Sequence, residues 1–169
     1  MMNKRIEEAF NTHLNAEMYS AYLYLSMSAW LESTNMKGMA NWMRVQAQEE
    51  MTHVMKFYTF IIDRGGKVKL ASIDGPKGEW KSTLEVFEDA YKHECKVSAL
   101  IADLVTLTEQ EHDRPADTFL QWFVNEQVEE EKSALEVADK LKLVGDNGAA
   151  LFMIDNELGA RVFVPPATA

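Results

Sequence analysis

Along most of this chain, apolar residues recur at spacings of three and four, the period that puts side chains on one face of an α-helix. Four such stripes can be traced. The first runs Phe10, Leu14, Glu17, Ala21, Tyr24, Ser28 and Leu31, and the second Met39, Met43, Gln46, Glu50, His53, Phe57 and Phe60. The third runs Leu84, Phe87, Tyr91, Glu94, Ser98, Ile101 and Val105, and the fourth Leu120, Phe123, Gln127, Glu130, Ala134, Val137 and Leu141. Each is apolar at both ends and polar in the middle.

The residues between the stripes predict where the helices stop. Ser33-Thr34-Asn35 precedes helix two, and Arg64-Gly65-Gly66 ends it, glycine tolerating the left-handed backbone that closes helices. Ser82 with Glu85 three residues on forms a capping box for helix three. Asp113 and Pro115 suit the start of helix four, where first-turn N–H groups have no partners to lose. The first and third connections are short and so join antiparallel neighbours. Lys67 to Lys81, with Gly75, Pro76 and Gly78, predicts an extended crossover linking two helical hairpins. After Gly145, the pattern from Asn147 to Leu158 predicts a short fifth helix, followed by Gly159 and a Pro165-Pro166 tail; Arg161 to Ala169 receives no role. The expected fold is all-α: an antiparallel four-helix bundle with a long crossover between helices two and three and a short fifth C-terminal helix. It is read as a single domain spanning residues 1–169.

In an antiparallel hairpin, two residues face each other when their mean position falls in the turn. Glu17 and Glu50 meet this condition in the first hairpin, and Glu94 and Gln127 come close to it in the second, so the polar residues of all four stripes share one level. The hairpins are also related by an offset. Adding 77 to Glu17, Glu49, Glu50 and His53 lands on Glu94, Glu126, Gln127 and Glu130, while little else repeats. A pseudo-twofold axis would place the two sets around a shared centre, the symmetry of a dinuclear site.

Physical chemistry favours metal over bare acid at this level. Two carboxylates about 4 Å apart repel by roughly 4 kcal/mol at an effective dielectric near 20. With four acids in one buried layer, protons or cations must neutralise them. Oxygen ligands with one imidazole and no thiolate suit iron(II), manganese(II) or zinc. The i, i+3 pair Glu50 and His53 aims both ligands at one ion, and Gln127 with Glu130 repeats that geometry with a neutral amide. A single mid-helix acid on such a stripe is ordinarily a surface position, but four at one level reverse that reading. His13, His93 and His112 lack comparable support, and Glu131 reads as part of a solvated face. Tyr22, Trp42 and Trp122 read as core or interface aromatics.

Composition narrows the setting. A net charge of -10 with scattered Lys and Arg disfavours contact with phosphate backbones, so no nucleic-acid partner is expected. Acidic residues interrupt every apolar run before the roughly 18 to 20 residues that span a bilayer, and Met1 to Phe10 contains no secretory h-region. The single cysteine, Cys95, forms neither an internal disulfide nor a CxxC knuckle, which fits a reducing, cytoplasmic setting.

These residues resemble the ferritins, specifically the haem-free bacterial and archaeal kind, an arrangement already described for ferritin-like carboxylate proteins. The carriers are Asn15-Ala16-Glu17-Met18-Tyr19-Ser20-Ala21-Tyr22-Leu23-Tyr24-Leu25, Glu49-Glu50-Met51-Thr52-His53, Glu94, and Trp122 through Glu126-Gln127-Val128-Glu129-Glu130-Glu131. The likeness covers nearly the whole chain. It implies one iron held by Glu17, Glu50 and His53 and a second by Glu50, Glu94 and Glu130, with Glu50 bridging. Gln127 would tune the site by hydrogen bonding, and Tyr24 would be its hydrogen-bonding or redox-active neighbour. Glu49, Glu126 and Glu129, with Glu130 shared, would form an additional iron site on the way to a storage cavity. The implied reaction is ferroxidase: dioxygen or peroxide oxidises iron(II), and ferric oxyhydroxide is deposited inside a hollow homo-oligomeric shell of 24 subunits, its channels lined by the fifth helix. Met51 stands in a Glu-Met-x-His context seen in bacterioferritins, but helix four has Gln127 and Glu130 where those proteins carry Glu-x-x-His, which disfavours haem. Absent cysteine pairs disfavour a rubrerythrin-like peroxide reductase, and no substrate pocket or electron-delivery partner is visible for a di-iron oxygenase. The unequal halves, His53 against Glu130 and Glu50 against Gln127, imply two iron positions of different affinity, the one nearer His53 filling first.

Overall fold

In the computed structural model, which describes residues 2–165, the chain forms five helices: α1 (Lys4–Ser33), α2 (Lys37–Asp63), α3 (Thr83–Gln110), α4 (Arg114–Val144) and α5 (Gly148–Leu158). No strand is present among the described residues, and no helix among them is long and apolar enough to cross a membrane. Pro166 of the expected tail lies outside the described residues.

α1 pairs with α2 and α3 with α4 as antiparallel hairpins, and the crossover decides how the two hairpins meet. It climbs alongside α1. The Asn11 amide nitrogen donates to Lys67 O at 3.0 Å while its oxygen accepts from Lys69 N at 2.6 Å, and Ser26 Oγ donates to Lys77 O at 2.7 Å. At the top, the Trp30 and Trp80 rings meet edge to face at 6.0 Å. Because the crossover returns the chain to the end where α1 finishes, α3 runs antiparallel to α1 and α4 antiparallel to α2. At the opposite end, the Arg64 guanidinium grips the Asp113 carboxylate with two bonds of 2.9 and 3.0 Å, tying the end of α2 to the α3–α4 turn.

The 77-residue offset extends to the backbone of the two hairpin turns. The helix-ending residues Thr34 and Glu111, the positive-φ residues Asn35 (62°) and His112 (53°), and the helix-opening residues Met36 and Asp113 are each separated by that offset. The side chains of the two turns have diverged, but the path has not.

Two apolar clusters plug the bundle. One contains Tyr24, Met27, Leu31, Met43, Phe87, Val137 and Leu141; the other contains Phe10, Leu14, Phe57, Ile61, Ile101, Leu120 and Phe123. Each such side chain contributes about 1.5 to 3 kcal/mol by leaving water. Between the plugs lies a buried polar layer.

The stripes expected for α1 and α4 are buried throughout, and that of α2 except Phe60, which is half-buried and stacked on Phe119 at 4.2 Å. The stripe of α3 differs. Ala90, Val97 and Leu104 are buried while Leu84, Tyr91, Ser98 and Val105 are only half-buried. α3 packs against both α4 and α1, and its buried arc is rotated from the expected stripe to positions one residue earlier, Ala90, Val97 and Leu104.

Capping also departs from expectation. Ser82 Oγ accepts from Glu85 N at 3.1 Å, but the Glu85 carboxylate accepts from Lys81 N at 2.6 Å, leaving the box half formed. α2 opens on Met36 with no side-chain cap of its own. Its missing acceptor comes from α5: Asp155 Oδ1 accepts from Met39 N at 2.8 Å. Gly38 permits this approach, since a Cβ there would lie 1.6 Å from Asp155 O.

Two variants follow from this junction. Asp155→Ala is expected to lower unfolding stability by about 1 kcal/mol, the usual worth of a cap. Gly38→Ala should lose more and expose α5, read as faster amide exchange over 148–158; unchanged exchange would contradict the backbone contact.

Candidate metal centre

The polar layer draws one or two residues from each long helix: Glu17 from α1, Glu50 and His53 from α2, Glu94 from α3, and Gln127 and Glu130 from α4, all buried. Helical spacing alone puts Glu50 and His53 on one face, and the hairpin turn brings Glu17 opposite them. Ligand atoms of Glu17, Glu50 and His53 lie within 4.8 Å of one another. His53 Nδ1 is 3.2 Å from Glu50 Oε2 and 3.8 Å from Glu17 Oε2. The rings of Trp122 and Phe123, edge-on at 5.5 and 5.7 Å, wall in the imidazole.

Glu17 is held by a residue the sequence reading passed over. His13, one turn earlier and itself buried, meets Glu17 Oε1 through Nε2 at 2.7 Å. The other oxygen, Glu17 Oε2, is buried with no hydrogen-bond partner. An unpaired buried acceptor costs about 1 to 3 kcal/mol, more when charged, and a cation shared with Glu50 and His53 would relieve it. The donors are carboxylate oxygen and imidazole nitrogen with no thiolate, a set that fits iron(II).

The other half of the layer is more fully bonded. Glu94 accepts from the Tyr24 hydroxyl on one oxygen and from Gln127 Nε2 on the other, at 3.1 Å. Gln127 thus meets Glu94, as the hairpin rule predicts. Glu130 Oε2 accepts from Gln46 Nε2 at 2.5 Å.

Of the acids expected outside this layer, the structure unites only some. Glu126 joins His53 and Glu130, their ligand atoms within 4.8 Å of one another. Glu49 stands in neither such group of the described residues, because its carboxylate is bonded to Arg161, and Glu129 is exposed. Met51 is turned out of the bundle into a groove of about 1050 Å³ lined by Leu25, Met55 and Phe163, away from the carboxylates. Trp42 and Tyr24 are buried, whereas Tyr22 and Trp122 are exposed. Arg161 carried no sequence signal. His13 carried a weak one, its i, i+4 relation to Glu17. His93 is largely buried beside Tyr19 and Tyr24, with Nε2 2.8 Å from Ser20 Oγ, and burial lowers it to a pKa of about 4, so it is neutral.

The electrostatics are those of a layer short of positive charge. Burial, helped by neighbouring carboxylates, raises Glu50, Glu94 and Glu130 each to a pKa of about 8. Burial acts on Glu17 in the same direction, but the bond from His13 and the nearby His53 outweigh it and hold this carboxyl well below its usual range. Burial would depress His53, yet its contacts with Glu17 and Glu50 raise it well above an ordinary histidine. Burial, with the charges of Glu94, Glu50 and Glu130, lifts Tyr24 well above an ordinary phenol.

A four-helix bundle with carboxylates and a histidine buried at mid-height, one carboxylate oxygen unpartnered, belongs to the class of helical proteins that bind metal in the bundle core. Residues 7–144 match the family described as Ferritin-like domain. A bacterial non-heme ferritin of Bacteroides fragilis is 44% identical over 161 residues, covering 95% of this chain and 100% of that protein. A probable bacterial non-heme ferritin-like protein of Haemophilus influenzae is 40% identical over 159 residues, covering 94% and 96%. Among solved structures, a closed form of Archaeoglobus fulgidus ferritin engineered by site-directed mutagenesis superposes with a TM-score of 0.96 at 49% identity, covering 97% of this chain and 100% of that one. The chain belongs to the ferritin family, and its function is iron storage.

The raised carboxyls set a pH dependence. Between their ordinary value of 4.5 and about 8, the folded metal-free protein keeps protons on Glu50, Glu94 and Glu130 that the unfolded chain releases, so stability falls as pH rises. The raised His53 adds the same sign above its ordinary 6.5. The midpoint of thermal unfolding of metal-free protein is expected to drop from about pH 5.5 to about pH 8.5, and saturating zinc(II) should abolish the drop. A midpoint that rises across this interval without metal would contradict the burial of uncompensated acids.

Proposed function

We propose that the chain is a ferroxidase in which Glu17, Glu50 and His53 hold one iron(II) and Glu50, Glu94 and Glu130 hold a second, Glu50 bridging the two. The observation that carries this reading is the buried, partnerless Glu17 Oε2 between Glu50 and His53. The layer around it is otherwise neutralised by protons on Glu50, Glu94 and Glu130.

Iron(II) enters as substrate. Its binding displaces those protons, making uptake pH-dependent. Two iron(II) ions then give one electron each to dioxygen or peroxide, and the ferric products hydrolyse to oxyhydroxide mineral. The residues around the ions do positional work. Tyr24 and Gln127 hold the two oxygens of Glu94, His13 holds one oxygen of Glu17, and Gln46 holds one of Glu130. The His53 side is the tighter, first-filled position, because Glu17 Oε2 there has no hydrogen-bond partner to give up, whereas both oxygens of Glu94 are already bonded, to Tyr24 and Gln127. Glu49, Glu126 and Glu129, with Glu130 shared, serve as a third iron position; the closeness of Glu126 and Glu130 to His53 supports a path from it to the centre. The whole chain forms one domain of a 24-subunit shell working in the cytoplasm.

The test is to add iron(II) to metal-free protein without oxygen, admit air, and size the product. Uptake far beyond three irons per chain is expected, within a particle of several hundred kilodaltons, as many copies of a 19.2 kDa chain require. Uptake stopping at two per chain in a small oligomer would overturn the storage reading in favour of a di-iron oxygenase or reductase. Glu50→Ala should slow initial oxidation at least about tenfold while the particle still assembles. Unchanged kinetics would remove Glu50 from the bridging role.

A further inference from the structure

We propose that Arg161, in the segment after α5, is a positioning residue that stands in for a cation at Glu49 and orients Glu130 through Gln46, so that metal reaches Glu49 only by displacing the guanidinium. The proposal rests on the reading of Glu49 as an iron ligand.

Arg161 is held at four points. Asn41 Nδ2 donates to its carbonyl oxygen at 2.9 Å, and its guanidinium lies over the Trp42 ring, 4.4 Å from the centroid. One arm, Nη1, donates to Gln46 Oε1 at 2.9 Å; the other, Nη2, donates to Glu49 Oε2. Asn41, Trp42, Gln46 and Glu49 all lie on α2, so the segment reads along that helix towards Glu50. The stacked, two-armed geometry is particular to arginine.

The arm on Gln46 has a chemical consequence. A guanidinium only donates hydrogen bonds, so it fixes the Gln46 oxygen towards itself and leaves the NH₂ group for Glu130, which accepts at 2.5 Å. One cation thereby sets the orientation of a ligand it does not touch. The arm on Glu49 explains why that acid stands apart from the group of His53, Glu126 and Glu130. Glu49 lies near Glu126, and the Arg161 charge offsets part of the strain that burial and this like charge impose. A cation arriving between Glu49 and Glu126 makes the guanidinium redundant at Glu49, and Arg161 then keeps only its hold on Gln46.

The test uses the assembled metal-free shell and cobalt(II), which binds without oxidation and reports by visible absorption. In Arg161→Gln, the weakest cobalt(II) equivalent is expected to tighten at least about threefold, as removal of a competing ion pair requires. Arg161→Lys keeps the charge and should retain the weak wild-type value, whereas a tail that merely braced the fold would weaken metal binding in both variants. Glu49→Gln should remove that equivalent altogether. If Glu49→Gln removes none, the reading of Glu49 as a ligand falls, and this proposal with it. If it removes one but Arg161→Gln leaves the affinity unchanged or weaker, Glu49 stands as a ligand and the displacement is overturned. Should Arg161→Gln fail to assemble, the wild-type shell decides the matter. Amide exchange over 159–165 is expected to quicken when the weakest cobalt(II) position fills and not before, and exchange indifferent to that step overturns the proposal.

Discussion

Everything in this molecule is arranged around acids that cannot escape one another. Glu17, Glu50, Glu94 and Glu130 are sealed between two apolar plugs and reach the layer from four different helices, so no small rotation takes any of them to water. Ordinarily such a layer would be selected away, since each uncompensated charge costs several kcal/mol in a dry interior. Here the plugs supply the opposing energy and the layer stays intact. Neutralisation falls to protons when metal is absent and to cations when it is present. On the proposed function, that exchange of one positive charge for another is the chemical basis of uptake.

The pseudo-twofold relation of the hairpins explains how such a site can be made, and its violation makes the two halves of the layer chemically unequal. Matching turns at Asn35 and His112 hold both hairpins to one register. Full symmetry would put a carboxylate at position 127, facing Glu94 as Glu50 faces Glu17. The amide found there donates to Glu94 at 3.1 Å instead of repelling it. Glu50, on α2, therefore has no acidic counterpart on α4 at that offset, and the half of the layer containing His53 and the ionised Glu17 is electrostatically distinct from the half containing protonated Glu94 and Glu130.

The parts of this arrangement legible in sequence are those that a single helix or a single turn determines. Periodicity places the polar layer on all four long helices, Glu94 of α3 included, and the turn positions pair Glu17 with Glu50 and Glu94 with Gln127. On α3 the apolar flank is set one residue away from the expected stripe, at Ala90, Val97 and Leu104 in place of Tyr91, Ser98 and Val105, because both flanks of Glu94 carry residues able to pack and the local pattern does not rank them. His13 escaped notice because a buried histidine reads as core until its partner is known to be a ligand. The family resemblance groups Glu49 with Glu126 and Glu129, whereas its carboxylate orientation is set by a residue 112 positions away. Arg161 and the Asp155 cap belong to the same category: contacts between the C-terminal segment and α2 leave no periodic trace in either.

These long-range contacts converge on α2, and the convergence has a mechanical reason. α2 carries Glu50 and His53, two of the proposed iron ligands, and an axial slip of one residue would carry both about 1.5 Å along the bundle. A displacement of that size is enough to spoil a ligand set. Polar contacts at the two ends do not tolerate it: Asp155 caps the first turn through Met39 N, and Arg64 at the far end grips Asp113 with two bonds. The short fifth helix and the α3–α4 turn, neither of which reaches the polar layer, thus hold it at its level by fixing α2.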